Sequence, residues 1–406
     1  MLQKQNEELK RSNFNLLLSK IDVKEAKDDF IPTLSFGMGH TYNLGLAFDQ
    51  ISGQLVTGNK WSNTANVNLN ARGILFQGFS RINKLKITIL NVETIEFQKK
   101  KLEQSLKLDM LSKYFDVVVN QSLYAVSLKQ LEFAKKQLVN EQTKFEFEVN
   151  TVLDIAQAES QVANNELNTI AISNSYNKSM VEFKQLLGVP FSDSVVVEIP
   201  DKDNSIMSDS EIFARINDDP AIKLGELSVQ QGNLLIKNAK STYYPTLSFF
   251  GGYGTNFSSE QRDFFSGVFM PFWKQVNNNR SLNLGISLTM NIFDGSKRKH
   301  NLNRMKFNLE SKKSELISIS VEREKILLLA NQEYKKAVSE FQVLQAQNIS
   351  LAKNYNAVKE SYDHGVINAI DYNKALLDYN LAEFNVIKAK YTMLYNMHVL
   401  NLLTTN

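Results

Sequence analysis

Residues 79–97 read FSRINKLKITILNVETIEF and open a stretch that continues to Leu187 without a glycine or a proline. Apolar side chains recur in it at steps of three and four residues, as at Ile82, Leu85 and Ile89, which is the seam of a helix near the coiled-coil period. At 1.5 Å per residue, residues 79–145 alone would extend roughly 100 Å, whereas ordinary globular helices have about 11–12 residues. The seam is therefore expected to face neighbouring helices in a bundle or tube.

A tandem repeat organises the rest of the chain. The segment FIPTLSF at residues 30–36 is matched by YYPTLSF at 243–249, and LFQG at 75–78 is matched by IFDG at 292–295. Each pair encloses a glycine-bearing region, and a long stretch without glycine or proline follows each region. The match continues at an offset of 217 residues, where Asp154 corresponds to Asp371. A repeat of about half the chain decides the architecture.

The repeat predicts two similar halves. A first repeat is expected at residues 1–188, beginning part-way through its unit, a connecting segment at 189–219 with a short strand near 195–199, and a second repeat at 220–406. The predicted elements of the first repeat are a helix at 12–29, strands at 31–47 and 62–76, and a helical hairpin at 79–187. Those of the second are a helix at 220–242, strands at 244–257 and 281–293, and a helical hairpin at 297–403.

The predicted strands alternate between apolar and small polar residues, less clearly in the third strand at Phe250 and Gly251. In residues 281–293, for example, Leu282, Leu284 and Ile286 alternate with Asn283 and Gly285. Strands of about ten residues with this pattern are typical of transmembrane barrels, whereas strands of soluble sandwiches average about 5–6 residues. A soluble sandwich remains the alternative, since its strands also alternate.

Four strands cannot close a barrel, because the smallest closed barrels have eight. An open sheet in lipid leaves two edges, and each unsatisfied backbone group there costs several kcal/mol. If the sheet lies in a membrane, several chains must therefore share one barrel.

Composition excludes several classes of function. The net charge is +3, from 46 basic and 43 acidic residues that are interspersed, which gives no nucleic-acid bias. Cysteine is absent, which excludes disulfides and thiolate sites, and the four histidines lie far apart in sequence. No catalytic set, metal site or cofactor motif is predicted. Residues 1–10 do not read as a signal peptide, so we expect either a cytosolic protein or, preferably, an exported chain without its export signal.

The order of helix, strand pair and long hairpin, repeated twice, resembles the TolC family of outer-membrane efflux and secretion ducts. The residues that carry the resemblance are 32–34 and 244–247 before the strands, 292–295 after the fourth strand, 186–188 after the first hairpin, and 362–365 with 369–371 at the second hairpin tip. It implies a mainly α fold with membrane β-strands: a homotrimer in which an α-helical barrel in the periplasm is continuous with a shared twelve-stranded barrel in outer-membrane lipid. It also implies a passive conduit, not an enzyme, that docks a periplasmic adaptor coupled to an inner-membrane pump, as in tripartite efflux or type I secretion.

The resemblance places a gate at the hairpin tips. Its residues would be Asp154, Asp371, Tyr362, Gly365 and Lys374. Lys374 stands where some relatives have a second acidic residue, so an acidic double ring is not supported. Asp154 and Asp371 could equally be helix N-caps, since Asp ahead of a helix is common and stabilising. As gate residues, Asp371→Ala or Tyr362→Phe is expected to raise single-channel conductance.

The small polar strand faces would line the pore. The residues expected there are Asn66, Asn68, Asn70, Arg72, Asn283, Ser287 and Asn291. The aromatic connection near residues 258–280 suits a membrane interface or a loop that packs on itself. The alternative from another class of protein is a soluble coiled-coil scaffold with a small β-domain, which gains nothing from four long strands with one wholly apolar face.

Overall fold

A computed structural model describes residues 6–198 and 219–404 of the chain. Four long helices dominate it and fall into two hairpins of identical helix lengths, 67 and 36 residues each. The helices are α1 (Glu7–Asp28), α2 (Ser80–Glu146), α3 (Val152–Leu187), α4 (Pro220–Ser241), α5 (Phe272–Asn278), α6 (Lys297–Asp363) and α7 (Ala369–Thr404). The strands are β1 (Thr33–Leu44), β2 (Ala47–Asp49), β3 (Gln54–Val56), β4 (Trp61–Gln77), β5 (Thr246–Ser258) and β6 (Ser281–Thr289).

The four long strands form one antiparallel sheet in the order β1-β4-β5-β6. Its central pair joins the two repeats, since β4 belongs to the first and β5 to the second. In the described part of the chain, the edge strands β1 and β6 each have one partner within this sheet. Both therefore present a row of unpaired backbone groups along their outer edges.

Two strands end earlier than the sequence predicts. The strand predicted at 281–293 stops at Thr289, because Thr289 pairs with Thr246 and the residue before Thr246 is Pro245, which has no N–H to donate. The strand predicted at 31–47 ends at Leu44, because Gly45 turns the chain at a φ of 95°. The two connections are not plain loops: the first contains the small hairpin β2–β3 and the second contains α5.

Two compact units cut across the two sequence repeats. One comprises residues 1–15, 95–225 and 315–406, and the other comprises residues 16–94 and 226–314. The first unit has a core that includes Phe115, Val118, Phe183, Tyr391 and Met397, contributed by both hairpins. Within this unit, the seam of each hairpin is thus buried against the other hairpin.

The connecting segment is described only at its two ends. Residues 195–198 form no strand, so the predicted strand near 195–199 is wrong over that part, and the rest of it lies outside the described residues. Val197 is instead buried in the core of the first unit, and Tyr114 donates a hydrogen bond of 2.7 Å to the backbone oxygen of Glu198. At the other end, Arg323 pairs with the buried carboxylate of Asp219. Side-chain contacts, not sheet pairing, therefore hold these ends.

In the second unit, two repeat-related arginines hold the junction between strand and helix. At each junction two consecutive residues have positive φ: 57° and 65° at Gly78 and Phe79, and 67° for both Gly295 and Ser296. The guanidinium of Arg298 donates to the backbone oxygens of Thr242, just past α4, and Ile292, just past β6, and lies 5.1 Å from the ring of Tyr243. Its counterpart in the first repeat is Arg81. The guanidinium of Arg81 donates to the backbone oxygens of Asp29 and Ile74 and lies 4.8 Å from the ring of Phe30.

Candidate functional site

The return helices of both hairpins begin in the same way. Thr151 is the N-cap of α3, and its N–H and hydroxyl donate to Oδ2 of Asp154 at 2.9 and 2.7 Å. In the second hairpin, Oδ1 of Asn368 accepts the N–H of Asp371 at 2.9 Å. The reading of the two aspartates as N-caps is therefore wrong by three positions. Asn368 takes the cap because its side-chain oxygen accepts an N–H of the first turn, Thr151 is tied to Asp154 in a capping box, and a carboxylate in the first turn complements the helix dipole.

Both ascending helices end in a left-handed residue. Gly365 has a φ of 71°, and the N–H of Val366 donates to the backbone oxygen of Ser361 at 2.9 Å, which makes a Schellman turn. Glu148 takes the equivalent place in the first hairpin at a φ of 59°. The N–H of the next residue, Val149, likewise donates to the backbone oxygen of Lys144 at 2.9 Å. Only the second turn has the glycine that this conformation favours. The tips are thus duplicated in geometry but not in sequence.

A buried carboxylate lies at the centre of the tip. Glu141 of α2 is 2% exposed and accepts hydrogen bonds from Nε2 of Gln137 at 2.7 Å and Nδ2 of Asn150 at 2.8 Å. The hydroxyl of Tyr362, at the end of α6, donates to its Oε2 at 3.2 Å, and Lys144 pairs with it at 3.5 Å. Buried charges are tolerated when they are paired and hydrogen-bonded in this way. The Tyr362–Glu141 bond joins the two hairpins of one chain.

Four tyrosines stack beside this carboxylate. Tyr362 stacks on Tyr372 of α7 with ring centroids 4.8 Å apart, and Tyr355 stacks on Tyr379 at 5.4 Å. The hydroxyls of Tyr355 and Tyr372 lie 3.4 Å apart and connect the two stacks. Tyr372 is 2% exposed, so the interior of the second hairpin tip is aromatic. The stack fixes the ring of Tyr362 and so aims its hydroxyl at Glu141.

Burial raises the pKa of Tyr362, and the nearby Glu141 carboxylate raises it further. Burial likewise raises the pKa of Tyr372. A raised pKa in the folded state means that the phenol stays protonated at pH values above its usual pKa of 10 and ionises only at still higher pH. The hydrogen bond from Tyr362 to Glu141 therefore persists through the neutral and moderately alkaline range.

The structure brings only some of the predicted gate residues together. Asp154 and Tyr362 line the same small cavity as Glu141, together with Tyr372. Asp371 and Lys374 are exposed, and within residues 6–198 and 219–404 neither side chain makes an ion pair or a hydrogen bond. Their role at a gate therefore stays a prediction that depends on neighbouring chains.

Sequence reasoning missed Glu141 and Tyr372, although both had a signal. Glu141 continues the seam of Leu131, Ala134 and Leu138, so it is a carboxylate at a position whose spacing requires burial. The tyrosines stand seven residues apart on each helix, at 355 and 362 and at 372 and 379, which places each pair on one face. A polar side chain at a seam position thus indicates a buried polar site in this chain.

The polar face of the sheet collects most of the predicted pore-lining residues. Cross-strand pairing places Asn70 beside Ser35 and Gly252, and Asn283 beside Gly252. The residues that share this face are Asn66, Asn68, Asn70, Arg72, Asn283 and Ser287. Asn291 lies beyond the end of β6, so its assignment to the strand face is wrong. The strand ends before it because Pro245, on the partner strand, has no N–H to continue the pairing.

Glycines make room for the asparagine side chains on this face. A Cβ at Gly37 would lie 2.8 Å from Oδ1 of Asn68, and one at Gly39 would lie 2.8 Å from Oδ1 of Asn66. Each amide therefore lies across the glycine of the paired strand. The result is a surface of neutral amides close to the sheet backbone.

The opposite face of the sheet is apolar and open. Met38 is 73% exposed and Leu284 is 77% exposed. The large side chains that share this property on the two edge strands are Leu34, Phe36, Met38, Leu282, Leu284, Ile286 and Leu288. An uninterrupted apolar face of this kind marks a surface that contacts lipid or another protein.

The aromatic connection between β5 and β6 packs in part on the sheet. The ring of Phe272 lies 4.9 Å from that of Phe257, and Gln275 hydrogen-bonds both backbone groups of Ser258, which lies beyond the end of the β6 pairing. Phe264 and Phe265, by contrast, are almost fully exposed. The segment therefore combines a packed base with an exposed aromatic tip.

No group of acidic and histidine side chains in the described ranges could hold a metal ion. Of the helices within residues 6–198 and 219–404, none combines the length and the apolar character that a membrane span needs.

Solved structures with the same fold are outer-membrane proteins. The Campylobacter jejuni CmeC outer membrane channel aligns with a TM-score of 0.81 and 17% identity, over 99% of this chain and 84% of that one. The outer membrane protein VceC of Vibrio cholerae aligns with a TM-score of 0.82 and 11% identity, over 99% and 94% of the two chains. The open state of the Neisseria gonorrhoeae MtrE outer membrane channel gives 0.80 and 17%, over 99% and 87%. The fold of this chain is thus that of an outer-membrane channel.

The family model for outer membrane efflux proteins matches residues 1–189 and 215–404, so the chain belongs to that family. No curated protein sequence matches it. The resemblance to TolC-type channels is confirmed. The protein is an efflux channel of the bacterial outer membrane with a periplasmic helical tunnel, and it is a conduit, not an enzyme.

Proposed function

We propose that three copies of this chain form the passive exit duct of a tripartite efflux pump or a type I secretion system. Each copy contributes four strands to one twelve-stranded barrel in outer-membrane lipid and two hairpins to the helical tunnel. An inner-membrane pump supplies the energy through a periplasmic adaptor.

The open apolar face of the sheet carries this proposal. That face belongs to a sheet with two long unpaired edges, and in lipid each unpaired backbone group costs several kcal/mol. Pairing β1 of one copy with β6 of the next removes both edges, and threefold closure places the amide face around a lumen. A soluble scaffold would gain nothing from exposing so many large apolar side chains.

The hairpin tips offer a surface for the adaptor. Val149 and Leu153 of the first tip and their repeat counterparts Val366 and Ile370 of the second are each more than 60% exposed. Apolar side chains at matching places on two duplicated tips suit a partner that meets both tips in the same manner.

The assembly is tested by negative-stain microscopy of protein purified in detergent. Threefold tubular particles are expected. A monodisperse monomer that stays soluble in buffer without detergent would contradict the proposal.

The orientation of the sheet is tested with single cysteines, for which the chain offers a background without native cysteine. Cysteines at Asn68 and Asn283 are expected to react with a water-soluble thiol reagent in membrane vesicles, because both lie on the amide face. Cysteines at the adjacent Leu69 and Leu284 serve as matched controls and are expected to be protected by lipid. Equal labelling on both faces would count against a barrel.

A further inference from the structure

One charged side chain stands on the amide face of the sheet. Among the described strand residues of that face, Arg72 alone has a formal charge, and most of the others are Asn, Ser, Thr or Gly. Arg72 is exposed, and its guanidinium makes no ion pair or hydrogen bond with any other described residue. Its charge is therefore not compensated within the described chain.

An aromatic residue is paired with this arginine across the sheet. Arg72 pairs with Thr33 on β1 and with Phe250 on β5, and Phe250 in turn pairs with Gly285 on β6. A Cβ at Gly285 would lie 2.4 Å from Cζ of the Phe250 ring, so the ring lies across that glycine and along the wall of the sheet. One cross-strand row thus contains a guanidinium without a described partner and, at the next position, a phenylalanine whose ring is turned toward β6.

We propose that this row is a selectivity ring for organic anions. The inference rests on the proposed trimeric channel, in which three copies of Arg72 and three of Phe250 alternate around the lumen at one level. A carboxylate, sulfonate or phosphate is the partner that a guanidinium recognises, through two parallel hydrogen bonds. The apolar body of the same molecule can rest on Phe250.

The electrostatic field of the arginines is strong enough to discriminate between anions and cations. With the Coulomb energy of water, an anion and a cation held about 7 Å from one guanidinium differ roughly sevenfold in local concentration. The neighbouring side chains of the amide face are neutral and do not oppose this preference. Since three copies would act on one lumen, the effect of the ring is expected to exceed that of a single arginine.

The first test measures permeability in planar bilayers under gradients of two probes of similar size, benzenesulfonate and benzyltrimethylammonium. The wild type is expected to prefer the anion, Arg72→Gln to lower the anion-to-cation ratio at least severalfold, and Arg72→Glu to reverse it. Phe250→Ala is expected to lower the permeability of benzenesulfonate relative to chloride. Arg280→Gln is the matched control, because Arg280 precedes β6 and its guanidinium donates to the backbone oxygen of Asn277.

The second test reads the field at the ring itself. A single cysteine at Asn70 is two residues from Arg72 on the same face, and its rates with negatively and positively charged thiosulfonate reagents are compared. Arg72→Gln is expected to lower the ratio of the two rates roughly sevenfold.

The outcomes separate the ring from the channel. Absence of any conductance overturns the channel and the ring with it. A conducting channel with the same permeability ratio in wild type, Arg72→Gln and Arg72→Glu overturns the ring alone, even if labelling at position 70 changes. An unchanged labelling ratio also overturns the ring.

Discussion

Replacing Tyr362 with phenylalanine is expected to shift the hairpin tip toward its open state by about 10–100-fold. The substitution removes one hydrogen bond to the buried Glu141 carboxylate, and hydrogen bonds to charged groups contribute about 1.5–3 kcal/mol. It keeps the ring that stacks on Tyr372, so the packing of the tip is retained. If the bond between the hairpins holds the tip closed, its loss converts directly into a change of population.

The measurement is open probability and single-channel conductance in planar bilayers. Tyr379→Phe is the matched control, since it removes a hydroxyl from the neighbouring Tyr355–Tyr379 stack without touching Glu141. Glu141→Gln is expected to act in the same direction as Tyr362→Phe, because it removes the charge from the acceptor of this bond, and the double variant is expected to add little to Tyr362→Phe, in which the bond is already absent. If Tyr362→Phe behaves like Tyr379→Phe, the bond does not close the tip.

The resemblance also places Asp371 at the gate, but fewer contacts support it than support Tyr362 and Glu141. Asp371 stands in the first turn of α7 with an exposed carboxylate that has no partner among the described residues. A rise in conductance for Asp371→Ala stays a prediction, and any such rise would have to come from contacts with neighbouring chains. Comparison of Asp371→Ala with Tyr362→Phe therefore separates closure within a chain from closure between chains.

What the sequence predicts well is what depends on periodicity. The seam from Ile82 onward predicts a long helix, and α2 has 67 residues. The repeat predicts a second hairpin of the same design, and α6 and α7 match α2 and α3 in length. Alternation also assigns Asn68 and Leu69 to opposite faces of β4, since successive residues of a strand point to opposite sides.

What the sequence could not predict depends on residues far away in the chain. The end of β6 is set by Pro245 on its partner strand, so Asn291 alternates correctly and still lies outside the sheet. The seam spacing indicates that Glu141 is buried but not which hydroxyl pairs with it, since Tyr362 is 221 residues away. Local patterns contain no information about such partners, which only the pairing of strands and hairpins brings together.

The junction arginines supply the second large effect, because each holds a helix end and a strand end through one planar group. Arg298 is largely buried and reaches three oxygens: the carboxylate of Asp294 at 2.9 Å and the backbone oxygens of Thr242 and Ile292 at 3.3 and 3.2 Å. A lysine keeps the charge but cannot reproduce this fork or the stacking on Tyr243.

Arg298→Lys is therefore expected to lower the free energy of unfolding of the sheet-bearing unit by about 1–2 kcal/mol, and Arg81→Lys by a similar or smaller amount because its contacts are more exposed. Combined, the two should approach 3 kcal/mol if the repeat-related junctions act independently. The readout is specific, since both tryptophans, Trp61 and Trp273, belong to this unit and their fluorescence in a denaturant titration reports its unfolding. Arg304→Lys, an exposed position on α6, is the control. Junction variants that unfold at the same denaturant concentration as Arg304→Lys would show that the positive-φ turns hold the strand ends without the arginines.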